Sequence, residues 1–321
     1  MKGSIKMKKI FRANLYGMII IILGIVLSLI LGPVMAKNNF SIYSSTVTLQ
    51  ISIFLIPAII YFAVTKFKVK ETLRFNKINL KDIFLIILIG ITIQPLVMGL
   101  SGLSTFIMPN NFGQVISKPV ANSSLFITLF VIGIVPALLE EITFRGIILS
   151  GYNDVSIKKG AIFTAIYFAI MHYDLQRFLY TFILGFIFVY LVRITNSIFS
   201  SMICHAIVNS MQMIYLKLAL SSSKNSEAAA GAAKSFKNMP AGEMVGLILS
   251  FIIFIVVGAT LTYLLVKKLK KNHIGEMMEV KTAEEISACS GEKEEKIINW
   301  PFIVTVIIYI SLICYAFRIL K

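Results

Sequence analysis

Apolar runs separated by short polar, mostly basic segments account for nearly the whole chain. They fall roughly at 15–35, 47–64, 83–103, 125–149, 161–172, 179–192, 198–216, 244–266 and 301–319. A helix needs about 20 apolar residues to cross the hydrocarbon core, and most of these runs reach that length. The runs at 161–172 and 179–192 fall short, which suits a hairpin buried in protein. The pattern predicts an all-α, polytopic transmembrane bundle of about eight to nine spans. Ser123 or Ser124 can cap the fourth span, and a Gly151–Asp154 turn returns the chain. A polar loop precedes that cap. Pro57, Pro95 and Pro136 lie inside apolar runs, as membrane helices tolerate. Pro136 sits four residues before Glu140, so its ring meets the Ile132 carbonyl and should bend the helix there.

Composition agrees with the pattern: 57% of the residues are hydrophobic, and mean hydropathy is +0.86. The net charge of +16 would suit nucleic acid in a soluble chain. Here the lysines and arginines cluster between apolar runs, at 2–12, 66–81, 158–159, 193 and 267–271, so nucleic acid is not an expected partner. That clustering predicts an integral protein of the cytoplasmic membrane with its N-terminus in the cytosol. The first run is longer than a signal-peptide core and reads as a retained helix. Cys204, Cys289 and Cys314 show no metal or disulfide spacing. Four units follow: N-terminal membrane helices at 1–123 (about three spans), a core at 124–217, a flexible low-complexity loop at 218–241, and C-terminal membrane helices at 242–321. The last unit carries a charged cytosolic loop at 267–297.

The fourth run carries the candidate chemistry: Glu140, Glu141 and Arg145 at membrane depth. An ionisable group there costs about 2.5–3.5 kcal/mol on insertion scales and faces a bundle interior or a wet cavity. Glu141 and Arg145 are four apart and share a helix face, so they should pair and leave Glu140 free. His172 ends the fifth run, four residues after Phe168, whose ring can lie beside the imidazole. His205 and Asn209 share a face of the seventh run. The third histidine, His273, ends a basic run and reads as solvated. Single histidines and asparagines in apolar helices commonly serve as helix–helix hydrogen-bond partners. Two glutamates, two deep histidines and an asparagine together fit a functional polar cavity better.

At these residues the chain resembles the CPBP family: type II CAAX prenyl endopeptidases and their bacterial relatives, including bacteriocin-processing and lysostaphin-resistance-like proteins. The shared pattern is Glu140-Glu141-x-x-x-Arg145, then Phe168-x-x-x-His172, then His205-x-x-x-Asn209. The resemblance covers about 124–215 and implies an intramembrane endopeptidase acting on a membrane-associated, possibly prenylated, protein substrate among membrane lipids. In that reading Glu140 activates water, His172 helps orient it, and His205 and Asn209 stabilise the oxyanion. Glu141, Arg145 and Phe168 support them. A zinc ion held by Glu140, His172 and His205 is the alternative, and then Glu140 would not be a free base. Two other readings are a proton-coupled transporter and a non-catalytic immunity or scaffold protein. Since Glu140 is nearer the cytosolic end of its helix, the cavity is expected to open toward the cytosol.

Overall fold

A computed structural model describes residues 8–222, 239–274 and 295–319. Among them there is no strand, and eight helices are long and apolar enough to cross a membrane. These are α1 (Lys9–Lys37), α2 (Ile42–Thr65), α3 (Leu80–Thr105), α5 (Leu125–Ile148), α7 (Leu175–Thr195), α8 (Ile198–Ser221), α9 (Ala241–Asn272) and α10 (Trp300–Arg318). Two shorter helices, α4 (Asn111–Asn122) and α6 (Ile157–Ile170), and a single helical turn at Val69–Thr72 accompany them. The protein is an all-α polytopic membrane bundle. Most of the low-complexity loop and of the charged loop, with Cys289, lies outside the described residues.

Short polar side chains begin the helices. Ser41, Asn79, Ser124, Ser156 and Asp174 each accept a backbone N–H from the first turn that follows, satisfying donors the helix itself leaves unpaired. The polar stretch before Ser124, expected to be a loop, contains α4. Asn110 caps this helix, and Ile116 and Val120 bury one side of it against α8. The remaining residues of α4 are polar enough that no apolar run marks it in the sequence.

The fifth apolar run does not become a full span. Helix α6 has 14 residues, about 21 Å at 1.5 Å per residue. It is antiparallel to α7, which at 21 residues is longer than its apolar run. Gln176 and Arg193 interrupt the hydropathy near the two ends of α7, yet both are satisfied locally. The Gln176 amide donates to Ser101 Oγ (2.9 Å), and Arg193 donates to the Tyr152 carbonyl (2.8 Å).

One face gathers the basic connections. Arg74 donates to Asn153 Oδ1 (2.8 Å), Asn76 to the Asn196 carbonyl (2.7 Å), and the Ile198 N–H to the Arg74 carbonyl (3.1 Å). Lys9 pairs with Asp154 at 2.7 Å. Glu295 accepts from the Ile10 and Phe11 N–H groups at 2.9 and 2.7 Å, capping the positive end of α1. His273 is not solvated as expected. It is buried, and Nε2 lies 2.8 Å from Asp82 Oδ2, tying the end of α9 to the start of α3. The opposite face carries the α1–α2 turn, α4 and the start of α7.

Helix α1 is part of the bundle. Ile20 and Ile21 are buried, and Asn14 takes hydrogen bonds from Tyr152 and Tyr167. Helix α5 is the least regular. Two π-helical stretches, Leu129–Ile134 and Ile142–Ile148, flank the α-helical Val135–Glu141. Pro136 has no N–H to offer the preceding turn, and the widened turn before it takes up the ring. The bend expected at Pro136 is therefore expressed as a change of helical pitch.

Candidate active site

Glu140 and Glu141 leave the regular part of α5 in different directions, and both are buried. Glu141 Oε1 accepts from Arg145 at 2.9 Å, as their spacing predicts. The same oxygen lies 2.9 Å from His205 Nδ1 on α8. A carboxylate only accepts, so Nδ1 carries the proton, and that bond orients the ring while Nε2 takes no part in it. Arg145 is fully buried. It donates to the Gly185 carbonyl at 3.1 Å, and its guanidinium carbon lies 4.3 Å from the Phe168 ring centre and 5.1 Å from that of Phe188. Gly185 also lets α7 lie close against α6: a Cβ there would sit 3.0 Å from the Ala165 Cα.

His172 lies in the turn after α6. Its Nδ1 is 2.8 Å from the Phe168 carbonyl, which can only accept. Nδ1 is thus protonated, and in the neutral ring Nε2 presents a lone pair. Phe168 touches both imidazoles edge-on, at 5.1 Å from His172 and 5.7 Å from His205 between ring centres. Its position joins the Arg145 cation to the two histidines.

Glu140, His172, His205, Asn209 and Phe168 line one cavity of about 200 Å³. Glu141 and Arg145 lie behind its wall. Five lining residues lie outside the core at 124–217: Ile42, Thr46 and Gln50 on α2, and Phe112 and Ile116 on α4. Gln50 Nε2 donates to Glu140 Oε1 at 2.9 Å. Sequence reasoning missed Gln50 because it lies 90 residues from Glu140 in a helix without a motif. A polar residue inside an apolar run was the only signal. Gln212, one turn beyond Asn209, also lines the cavity.

The direction of the cavity corrects an expectation. From Glu140 it runs past Thr46 and Ile42 near the start of α2, Phe112 and Ile116 on α4, and Arg177 near the start of α7. All of these lie toward the face opposite the basic connections. On the other side of Glu140, Phe144, Arg145, Ile147 and Ile148 are buried and close the floor. Distance along α5 favoured the basic face, but packing around the helix decides the route. Arg177 stands at the mouth, bound to Asp174 Oδ2 (3.1 Å) and the His172 carbonyl (3.0 Å), with its charge over Phe112.

Among the described residues no three His, Cys, Asp or Glu groups stand close enough to hold one ion. His205 Nδ1 is committed to Glu141, and one Glu140 oxygen to Gln50.

These features define a class: a polytopic helical membrane protein whose buried Glu–Arg–His cluster backs an intramembrane cavity. Residues 122–211 match the family model described as type II CAAX prenyl endopeptidase, Rce1-like. The match covers under a third of the chain and supports a relation to the CPBP membrane proteases. The matched segment contains all seven residues singled out from the sequence. No curated protein and no solved structure matches the chain.

Proposed function

We propose that the protein is an intramembrane endopeptidase in which Glu140 activates the attacking water. The family supports a CAAX-type endopeptidase at its own level of detail, and the residue roles are our reading. Glu140 takes a proton from water as the water oxygen bonds to the scissile carbonyl carbon. His172 Nε2 accepts a hydrogen bond from the same water and orients it. The carbonyl oxygen gains charge and meets two donors, the Asn209 amide and His205 Nε2. His205 donates from Nε2 only as an imidazolium, since Nδ1 already holds the other proton. With Glu140 and Glu141 ionised and Arg145 and His205 protonated, the buried cluster is neutral overall, which limits the cost of its burial. Glu140 then passes its proton to the leaving amine.

The substrate is a membrane-associated peptide or prenylated protein, the class the family implies. The basic face is assigned to the cytosol, so the mouth faces the other side of the membrane. The observation that carries the reading is the shared cavity of Glu140, His172, His205 and Asn209. Its closed floor suits one-sided access by a substrate rather than a passage. A library of membrane-associated peptides, some prenylated, incubated with the protein in liposomes tests this. Cleavage at a defined bond is expected. Ion-dependent flux without any cleavage would overturn the reading in favour of transport.

A further inference from the structure

Gln50 belongs to α2, outside the segment that matches the protease family. Its amide N–H reaches Glu140 Oε1 at 2.9 Å, and its own Oε1 is buried without a partner among the described residues. A buried amide with an unmet acceptor is costly, and an apolar residue of similar size would suit this helix better for stability alone. The bond from Nε2 to Glu140 is what the glutamine adds. No residue between Ile42 and Gln50 is fully buried, and Ile42 and Leu49 pack only partly against the core. This stretch lays Ile42, Thr46 and Gln50, spaced by four, along the cavity. A π-helical turn, Ile51–Leu55, follows directly.

We propose that Gln50 is a positioning residue for Glu140, holding Oε1 so that Oε2 alone takes the proton from the attacking water. This rests on the endopeptidase reading. In the step, a water O–H bond breaks and its proton moves to Glu140 Oε2. The water oxygen forms a bond to the carbonyl carbon, and the carbonyl π electrons move to oxygen. In this role Gln50 acts through Glu140 rather than on the reacting atoms. A donor to the carboxylate favours its ionised form, so the base stays available at lower pH. The site is then incomplete without α2, and residues 122–211 alone would not make an efficient protease.

The test is steady-state cleavage of one peptide identified in liposomes, over a range of pH, by wild type and Gln50→Leu. Thermal unfolding of Gln50→Leu should match or exceed wild type. Its kcat should fall about 10–100-fold with KM within about twofold. The acidic limb of its kcat profile should move up by about 1–2 pH units, the effect of one hydrogen bond to a charged group. Gln50→Ala repeats the measurement if leucine disturbs packing. Unchanged kcat and an unmoved limb would overturn the assignment, and so would a loss that merely tracks lowered stability. If Glu140→Gln cleaves as well as wild type, the reading of Glu140 as the base fails, and the role of Gln50 with it. If Glu140→Gln is inactive while Gln50→Leu is normal, only the role of Gln50 fails.

Discussion

Arg145 shows how much of the site serves to hold it together. It has no exposed surface, and it joins Glu141, the Gly185 carbonyl and two phenylalanine rings. Removing one member of a buried ion pair leaves the other charge unmatched and typically costs about 3–5 kcal/mol. Arg145→Met is therefore expected to lower thermal stability strongly in detergent. Unfolding monitored by helical circular dichroism checks this, and an unchanged transition would contradict the structural role. The Glu141–Arg145 pair was legible because both residues sit on one helix at a spacing of four. The His205–Glu141 contact was not, since spacing within helices says nothing about which ring nitrogen of α8 meets which oxygen of α5. Gln50 was hidden for a similar reason. Its partner lies on another helix, and no local pattern couples them.

At the scale of elements, α5 departs most from what periodicity predicts. Apolar periodicity marks a span, but a π-helical turn changes the pitch without changing composition. Pro136 explains the stretch before it. No proline stands within or directly after the stretch from Ile142 to Ile148, and the chain itself gave no sign of it. Pro136→Ala restores an N–H and removes the ring clash, so the preceding turn can close to ordinary α-helix. Losing one residue of register turns the outer half of α5 by about 100° relative to Glu140. We expect kcat to fall about 10²-fold, the order seen for small misplacements of reacting groups, while thermal stability holds. Cleavage kinetics with parallel thermal unfolding check this, and wild-type kcat would show that the pitch is irrelevant to the site. Helix α4 escaped notice because it is polar on most sides and buries few residues, whereas the short apolar run of α6 marked both the helix and its failure to cross.

For the whole molecule, the clustering of basic connections on one face was readable from charge alone, since the loops are short and their signs are unambiguous. The direction of the cavity was not, because it depends on which helices seal the floor beneath Glu140. A cysteine at Thr46, in a chain with Cys289 and Cys314 changed to serine, reports on access. An impermeant thiol reagent should label it from the face opposite the basic loops, and labelling only from the basic face would contradict the geometry of α2 and α4. Metal dependence follows from the same arrangement: with Glu140 as a free base, cleavage should persist in a chelator, and a chelated enzyme regaining activity only with zinc would return Glu140 to the role of ligand. The central claim is that one carboxylate in this cavity drives peptide hydrolysis. The measurement closest to it compares wild type with Glu140→Gln in liposomes, quantifying the products of a membrane-anchored peptide by mass spectrometry. The amide fills the same space but takes no proton, so kcat should drop about 10²–10⁴-fold at equal protein level and equal thermal stability. Cleavage by Glu140→Gln at the wild-type rate would contradict the account.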